Sequence, residues 1–180
     1  MISHIHRLFG GCGTRSILWP LLHLNHSPMH IRPATPADIP AIHALVYELA
    51  VYEKEPDAVF TTPEEYLRDF EAGRFESMVA EMDGKIVGMT LFYEAYSSWK
   101  GRMLYLDDFV VNEAYRRFGV GQKLFDTFVE EGRRRGCRLV KWQVLDWNEP
   151  AIRFYEKNQA IIEKGWWNVK IFLFEEAVGG

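Results

Sequence analysis

The six residues Arg116-Arg117-Phe118-Gly119-Val120-Gly121 constrain this chain more than any others. An apolar run, Leu104 to Val111, precedes them, and an amphipathic stretch from Val120 to about Arg135 follows. A strand, a basic glycine-bearing turn and a helix N-terminus in succession make an anion cradle. The unpaired amides of the first helical turn and the positive end of the helix dipole face the same point. The glycines let the backbone bend and let a phosphate oxygen come close. The turn is not a Walker loop, because no Gly-Lys-Ser/Thr closes it. It also lacks the three glycines of the dinucleotide fingerprint. A pyrophosphate is the expected occupant.

The remaining sequence is read around that cradle. At 180 residues the chain can bury one sizeable core. The net charge of -4 argues against nucleic acid, which would call for a basic face. No apolar run reaches the length of a membrane span. Cys12 and Cys137 give neither a disulfide framework nor metal spacing, so a cytoplasmic protein with reduced thiols and no metal is expected. Residues 29–176 are read as a single domain. Five of the six histidines fall by position 30 and no acid precedes Asp38; residues 1–28 are read as a leader that is disordered or precedes the natural start at Met29. A targeting peptide and a metal-binding tail are the competing readings of that segment.

Periodicity predicts the elements of a mixed α/β sheet. Strands are expected at Met29 to Ala34, Phe75 to Met82, Lys85 to Tyr96, Arg102 to Val111, Leu139 to Leu145 and Trp166 to Phe174. Ile39, Ile42, Leu45, Val46, Leu49 and Tyr52 line one face of a first helix, which Pro56 closes. Thr62-Pro63-Glu64-Glu65 combines a capping box with a first-turn proline. Asp83-Gly84 reads as a hairpin turn. Val120, Leu124, Phe125, Phe128 and Val129 form the stripe of the helix after the cradle. Asn148 caps a last helix through Lys157.

Three groups of residues carry chemistry. Phe109-Val110-Val111 could pair its backbone with an amide-bearing ligand if the strand is irregular there; an ordinary core strand is the competing reading. Tyr155 lies two helical turns beyond Asn148 and could donate a proton to a leaving group, or be a core aromatic with a satisfied hydroxyl. Asp107 and Asp108 are either strand-end carboxylates in solvent or part of a site. Because adjacent strand residues face opposite ways, at most one is expected to face a substrate.

Together these residues resemble the GNAT superfamily of acyl-CoA-dependent N-acetyltransferases. Within it the chain is similar to the diamine branch, the spermidine/spermine and thialysine acetyltransferases. The similarity rests on Ile31-Arg32-Pro33-Ala34-Thr35, Glu48 to Glu53, Leu104 to Phe109, Arg116 to Gly121, Trp147 to Ala151 and Phe154-Tyr155. It implies a mixed, mostly antiparallel sheet, flanked by helices and split by a V-shaped acetyl-CoA cleft. Phe109, Val110 and Val111 would meet the acetyl and pantetheine groups. Arg116, Arg117, Phe118, Gly119, Val120, Gly121 and Gln122 would hold the pyrophosphate, and Asn148, Glu149, Pro150, Ala151 and Asn158 the rest of the cosubstrate. Tyr155 would protonate the departing thiolate. Tyr52, Glu53, Asp107, Lys141, Trp142 and Gln143 would face a small cationic amine. A homodimer is implied as well, and the aromatic run around Trp166, Trp167 and Phe172 fits either an interface or a core.

Carboxylates suit such a substrate on chemical grounds. A primary alkylamine has a pKa of about 10, so only about one molecule in a few thousand is nucleophilic at neutral pH. Something must remove its proton once it is aligned, and Asp107 is the expected base, with Glu53 binding. The chain departs from the branch at three positions. Asp107 stands where the branch has Glu, which favours a bridging water. Gln159 replaces a glycine past the last helix, so the turn there is expected to differ. Lys164 replaces an acid, which argues against long polyamines and leaves a shorter diamine, thialysine or another amino compound. A non-catalytic acyl-CoA-binding module and a protein or peptide N-acetyltransferase are the alternatives.

Overall fold

A computed structural model describes residues 27–173. The leader's first 26 residues and the end of the chain from Phe174 lie outside them. Five strands, β1 (His30–Pro33), β2 (Glu76–Met82), β3 (Lys85–Ser97), β4 (Gly101–Val111) and β5 (Leu139–Lys141), form one sheet in sequence order. The first three pairings are antiparallel; β4 and β5 run parallel. The helices are α1 (Ile39–Tyr52), α2 (Pro63–Glu71), α3 (Val120–Arg134) and α4 (Glu149–Lys157).

Local signals set these boundaries. Thr62 Oγ1 accepts from the Glu65 amide at 3.2 Å while Glu65 accepts from the Thr62 amide at 2.9 Å, so the capping box starts α2. Asp83 and Gly84 both take positive φ, 53° and 69°, as a tight hairpin between β2 and β3 requires. Arg32 forks onto Asp38 at 2.7 and 2.8 Å and ties β1 to the entry of α1.

Each face of the sheet buries one long helix. Val120, Leu124 and Phe128 of α3 pack on Leu104, Leu106 and Phe92, with Phe109 and Val111 against the same cluster. Ile39, Ile42, Leu45 and Val46 of α1 pack on Val79, Met89, Leu91 and Val110 on the other face, where α2 adds Tyr66, Leu67 and Phe70. Gly132 lets α3 approach β5: a Cβ there would stand 2.8 Å from Val140 Cγ1.

The last part of the chain differs from expectation. β5 ends at Lys141 instead of reaching Leu145, and no strand follows α4 among the described residues. Trp166 and Trp167, expected in that strand, are 78% and 90% exposed.

Candidate active site

The sheet opens where β5 stops. The parallel pairing covers only Met103–Leu139, Leu104–Val140 and Tyr105–Lys141, while β4 continues six residues to Val111. Beyond Tyr105, β4 therefore has β3 on one side and, among the described residues, no strand on the other. This is the split in an otherwise continuous sheet.

A β-bulge lies inside that free stretch. Leu91 pairs with Asp108 and Phe92 with Leu106, so Asp107 is the extra residue. The bulge changes which way β4 residues point. Leu104 and Leu106 pack toward α3, and so do Phe109 and Val111, whereas Val110 packs toward α1. Alternation from Leu106 puts Asp107 on the α1 face, and alternation back from Val110 puts Asp108 on the same face. The premise that the two acids lie on opposite faces is thus corrected: the bulge turns both to one side.

Glu53, just past the C-terminal end of α1, completes an acidic cluster. Asp108 is pushed up to about 7, by burial first and then by the charges of Asp107 and Glu53. Burial also raises Asp107 and Glu53. The phenols of Tyr93 and Tyr105 are raised by burial and by Asp107. Among the described residues none of these three carboxylates takes part in a hydrogen bond or an ion pair. No group of His, Cys, Asp and Glu there could hold a metal ion. Crowded and uncompensated by any described cation, the cluster is chemically suited to receive a cation.

Tyr155 of α4 lies within the field of this cluster. Its ring is buried against Trp142 at 5.0 Å, Phe154 at 5.6 Å and Phe125 at 6.1 Å. Its hydroxyl makes no hydrogen bond to a described residue. Burial, then the Glu53 charge, pushes its pKa up to about 12, so it keeps its proton at neutral pH.

The basic turn lies at the N-terminus of α3. Arg117 and Gly119 both take left-handed φ, 68° and 81°, and no side chain caps the helix. A Cβ at Gly119 would meet nothing within 4 Å, so the space over the turn is open. Arg116 donates from Nε to the Val111 carbonyl at 3.1 Å and lies 5.6 Å from the Tyr52 ring. Open amides at a dipole's positive end, flanked by two arginines, suit a pyrophosphate.

The other expected residues are placed as follows. Gln122 and Asn158 bond each other, Gln122 Nε2 to Asn158 Oδ1 at 2.7 Å, and so fasten α3 to α4. Asn148 Oδ1 accepts from the Ala151 amide at 3.3 Å and from the Tyr52 hydroxyl at 3.1 Å. Pro150 sits in the first turn of α4, and Glu149 pairs with Arg153 at 2.8 Å. Trp142 packs on Tyr155, Lys141 ends β5 as an exposed side chain, and Gln143 donates to Asn168. The sequence does not single out Lys54, and it offers Asp108 only as one of two carboxylates of which at most one faces a substrate. No periodicity announces a bulge, and Lys54 reads there as an ordinary surface lysine.

Comparison with known proteins fits this arrangement. The acetyltransferase (GNAT) family profile matches residues 42–160. A thialysine N-epsilon-acetyltransferase of Bos taurus is 37% identical over 136 residues, covering 70% of this chain and 80% of its own. Its Caenorhabditis elegans counterpart is 34% identical over 122 residues, covering 68% and 76%. A spermidine/spermine N(1)-acetyltransferase-like protein of Homo sapiens is 33% identical, over 76% of this chain but 21% of its own. An aminoglycoside N-acetyltransferase solved in complex with CoA shares the fold, with a TM-score of 0.64 at 18% identity, over 79% of this chain and 95% of its own. Split sheet, flanking helices and sequence agree: the chain belongs to the acetyltransferase (GNAT) family and is an N-acetyltransferase.

Proposed function

We propose that this enzyme transfers the acetyl group of acetyl-CoA to a primary amine of a small cationic compound, by direct attack within a ternary complex. The observation that carries the acceptor class is the uncompensated cluster of Glu53, Asp107 and Asp108 beside Tyr155. A cationic amine neutralises what the protein leaves unpaired. The thialysine and polyamine relatives support the same class.

Acetyl-CoA supplies the acyl group as an activated thioester. Residues 116–122 hold its pyrophosphate, with Phe109 to Val111 along the open edge of β4 and Asn148 to Ala151 and Asn158 beyond. Glu53 draws in the ammonium, with Tyr52, Lys141, Trp142 and Gln143 around it. Asp107 takes the proton that makes the nitrogen nucleophilic, directly or through a water. Asp108 lies beside it, its carboxyl pushed up to about 7 by burial and by the charges of Asp107 and Glu53, so the charge of the site changes near neutral pH. As the C–N bond forms and the C–S bond breaks, Tyr155 gives its proton to the thiolate and recovers one from solvent. The enzyme acts in the cytoplasm as a homodimer, with the exposed Trp166, Trp167 and Ile171 as the surface available for association.

A free-thiol release assay with acetyl-CoA over diamines, polyamines, thialysine and lysine tests the reading. Transfer to at least one of these amines is expected. Replacing Tyr155 by Phe lowers kcat by about 100-fold at unchanged acetyl-CoA affinity. A wild-type rate in Tyr155→Phe removes that residue from the mechanism, and silence with every amine removes the acceptor class.

A further inference from the structure

The rim of the acidic cluster carries the opposite charge. Lys54 directly follows Glu53 but takes a left-handed φ of 67°, with its amide donating to the Val51 carbonyl at 3.1 Å. Its ammonium stands 5.2 Å from the Trp147 ring, in the loop between β5 and α4. Beside it, Tyr52 bonds Asn148 and its ring lies 5.9 Å from Trp147. The end of α1 and the start of α4 are thereby joined across the mouth of the split.

Lys54 is exposed and forms no ion pair with any described residue, although Glu53 is its neighbour in sequence. A lysine so placed is held by an aromatic face and keeps its charge uncompensated. Arg116, another cation near this rim, is engaged by the Val111 carbonyl and belongs to the phosphate turn. Lys141, at the end of β5, is assigned to the surroundings of the acceptor amine; Lys54 is the free cation on the α1 side, next in sequence to Glu53. Three unpaired carboxylates inside and one unpaired ammonium at the rim match a molecule with an amine at one end and a carboxylate at the other.

We propose that Lys54 is a specificity-determining residue: it receives the α-carboxylate of a diamino acid whose side-chain amine enters the cluster of Glu53, Asp107 and Asp108. This rests on the amine-acetylating reading above. The same lysine disfavours a diamine or polyamine, whose second ammonium would lie against it. Attraction for one class and repulsion for the other make a stronger filter than either alone.

Matched acceptors isolate the effect. L-Lysine and cadaverine differ by one carboxylate, as do L-ornithine and putrescine. Steady-state kcat/KM for these four with wild-type enzyme is expected to favour the diamino acid of each pair by about tenfold, the scale of one charge-assisted contact. Lys54→Met lowers the diamino-acid value by about tenfold, mainly through KM, and raises the diamine value. Lys54→Arg keeps the wild-type order and Lys54→Glu reverses it. Thermal midpoints of the variants show that each is folded. A wild-type preference for the diamines overturns the proposal, as does a pair ratio that Lys54→Met leaves unmoved. A raised KM for acetyl-CoA with constant acceptor ratios also overturns it and assigns Lys54 to the cosubstrate. No transfer to any amine sinks the acceptor class itself, whereas transfer with the wrong ratios sinks Lys54 alone.

Discussion

Two acidic regions of this molecule hold similar residues in opposite states. Near the C-terminal end of α3, Glu131 is buried but takes Arg134 at 2.6 and 2.7 Å and Arg135 at 2.6 Å. Arg135 also forks onto Glu76, both contacts at 2.6 Å. Those guanidinium groups hold Glu131 down at about 2. On the α1 face of β4, Asp108 has no cation and is pushed up to about 7. Burial is common to both; what separates the two acids is the missing partner. A structural carboxylate carries its counter-ion with it, and a carboxylate without one is held ready for a ligand. A cavity of about 390 Å³ opens beside Glu131, Arg134, Arg135 and Phe92, but its charges are already matched.

The largest expected effect breaks the unpaired side. Asp108→Asn lowers kcat/KM for the best amine by about 100-fold, the scale of losing a charge-assisted contact to the ammonium in a desolvated site. In the wild type the acid limb of the pH–rate profile lies near pH 7, activity rising as Asp108 ionises, and the variant loses that limb. Stability moves the other way. The folded carboxyl titrates near 7 and the unfolded one near its ordinary 3.8, so the native state binds the extra proton between them. Stability therefore falls as pH rises across that window and stays reduced above it. Asn removes this penalty, about 2 kcal/mol at pH 8 once solvent screening is allowed for, and nothing at pH 3. Urea unfolding at both pH values reads the difference.

The paired side is expected to respond in reverse. Glu131→Gln costs about 2 kcal/mol of stability at pH 7, because it leaves Arg134 and part of Arg135 unmatched. Its kcat/KM stays within about twofold of wild type, since the residue is remote from any transferred group. The sign of the pH dependence is also opposite. Glu131 has a depressed folded pKa, so its contribution is present above the ordinary 4.5 and is lost as pH falls through about 2. Acid-unfolding curves of wild type and variant should converge in that window. A variant that loses activity while keeping its stability would dissolve the contrast between the two regions.

How much of this contrast the sequence could carry depends on where each feature originates. Patterns fixed by neighbours along the chain were legible. The stripe of α3, the Asp83-Gly84 hairpin and the Thr62–Glu65 box all appear within a residue or so of expectation. Features fixed by a partner strand were not. The bulge at Asp107 has no glycine or proline to announce it; it exists because β3 and β4 pair in two registers around one extra residue. The alternating aromatic run from Trp166 reads as a strand, yet its described residues pair with no strand of the sheet. The acids themselves were visible, but that they share a face and lack counter-ions was not.

The smallest expected effect concerns the turn that fixes Tyr155 relative to the acids. Gln159 was expected to alter this turn, having replaced a glycine. Instead it adopts the left-handed conformation itself, with φ 62°, its amide donating to the Glu156 carbonyl at 2.9 Å. The next amide, of Ala160, returns to the Tyr155 carbonyl at 3.0 Å, so the helix end is closed in the ordinary way. Holding a side-chain-bearing residue there costs about 1 kcal/mol, and glycine would relieve it while adding freedom to the unfolded chain. Gln159→Gly should thus stabilise by a net of about 0.5 kcal/mol, a rise of about 1–2 °C in thermal midpoint. The neighbouring Asn158 keeps its bond to Gln122, so α4 stays fastened to α3 and kcat for the best amine should hold. If kcat falls while the midpoint rises, the strained turn itself aims Tyr155, and the unpaired acids are then only half of what distinguishes this region from the paired one.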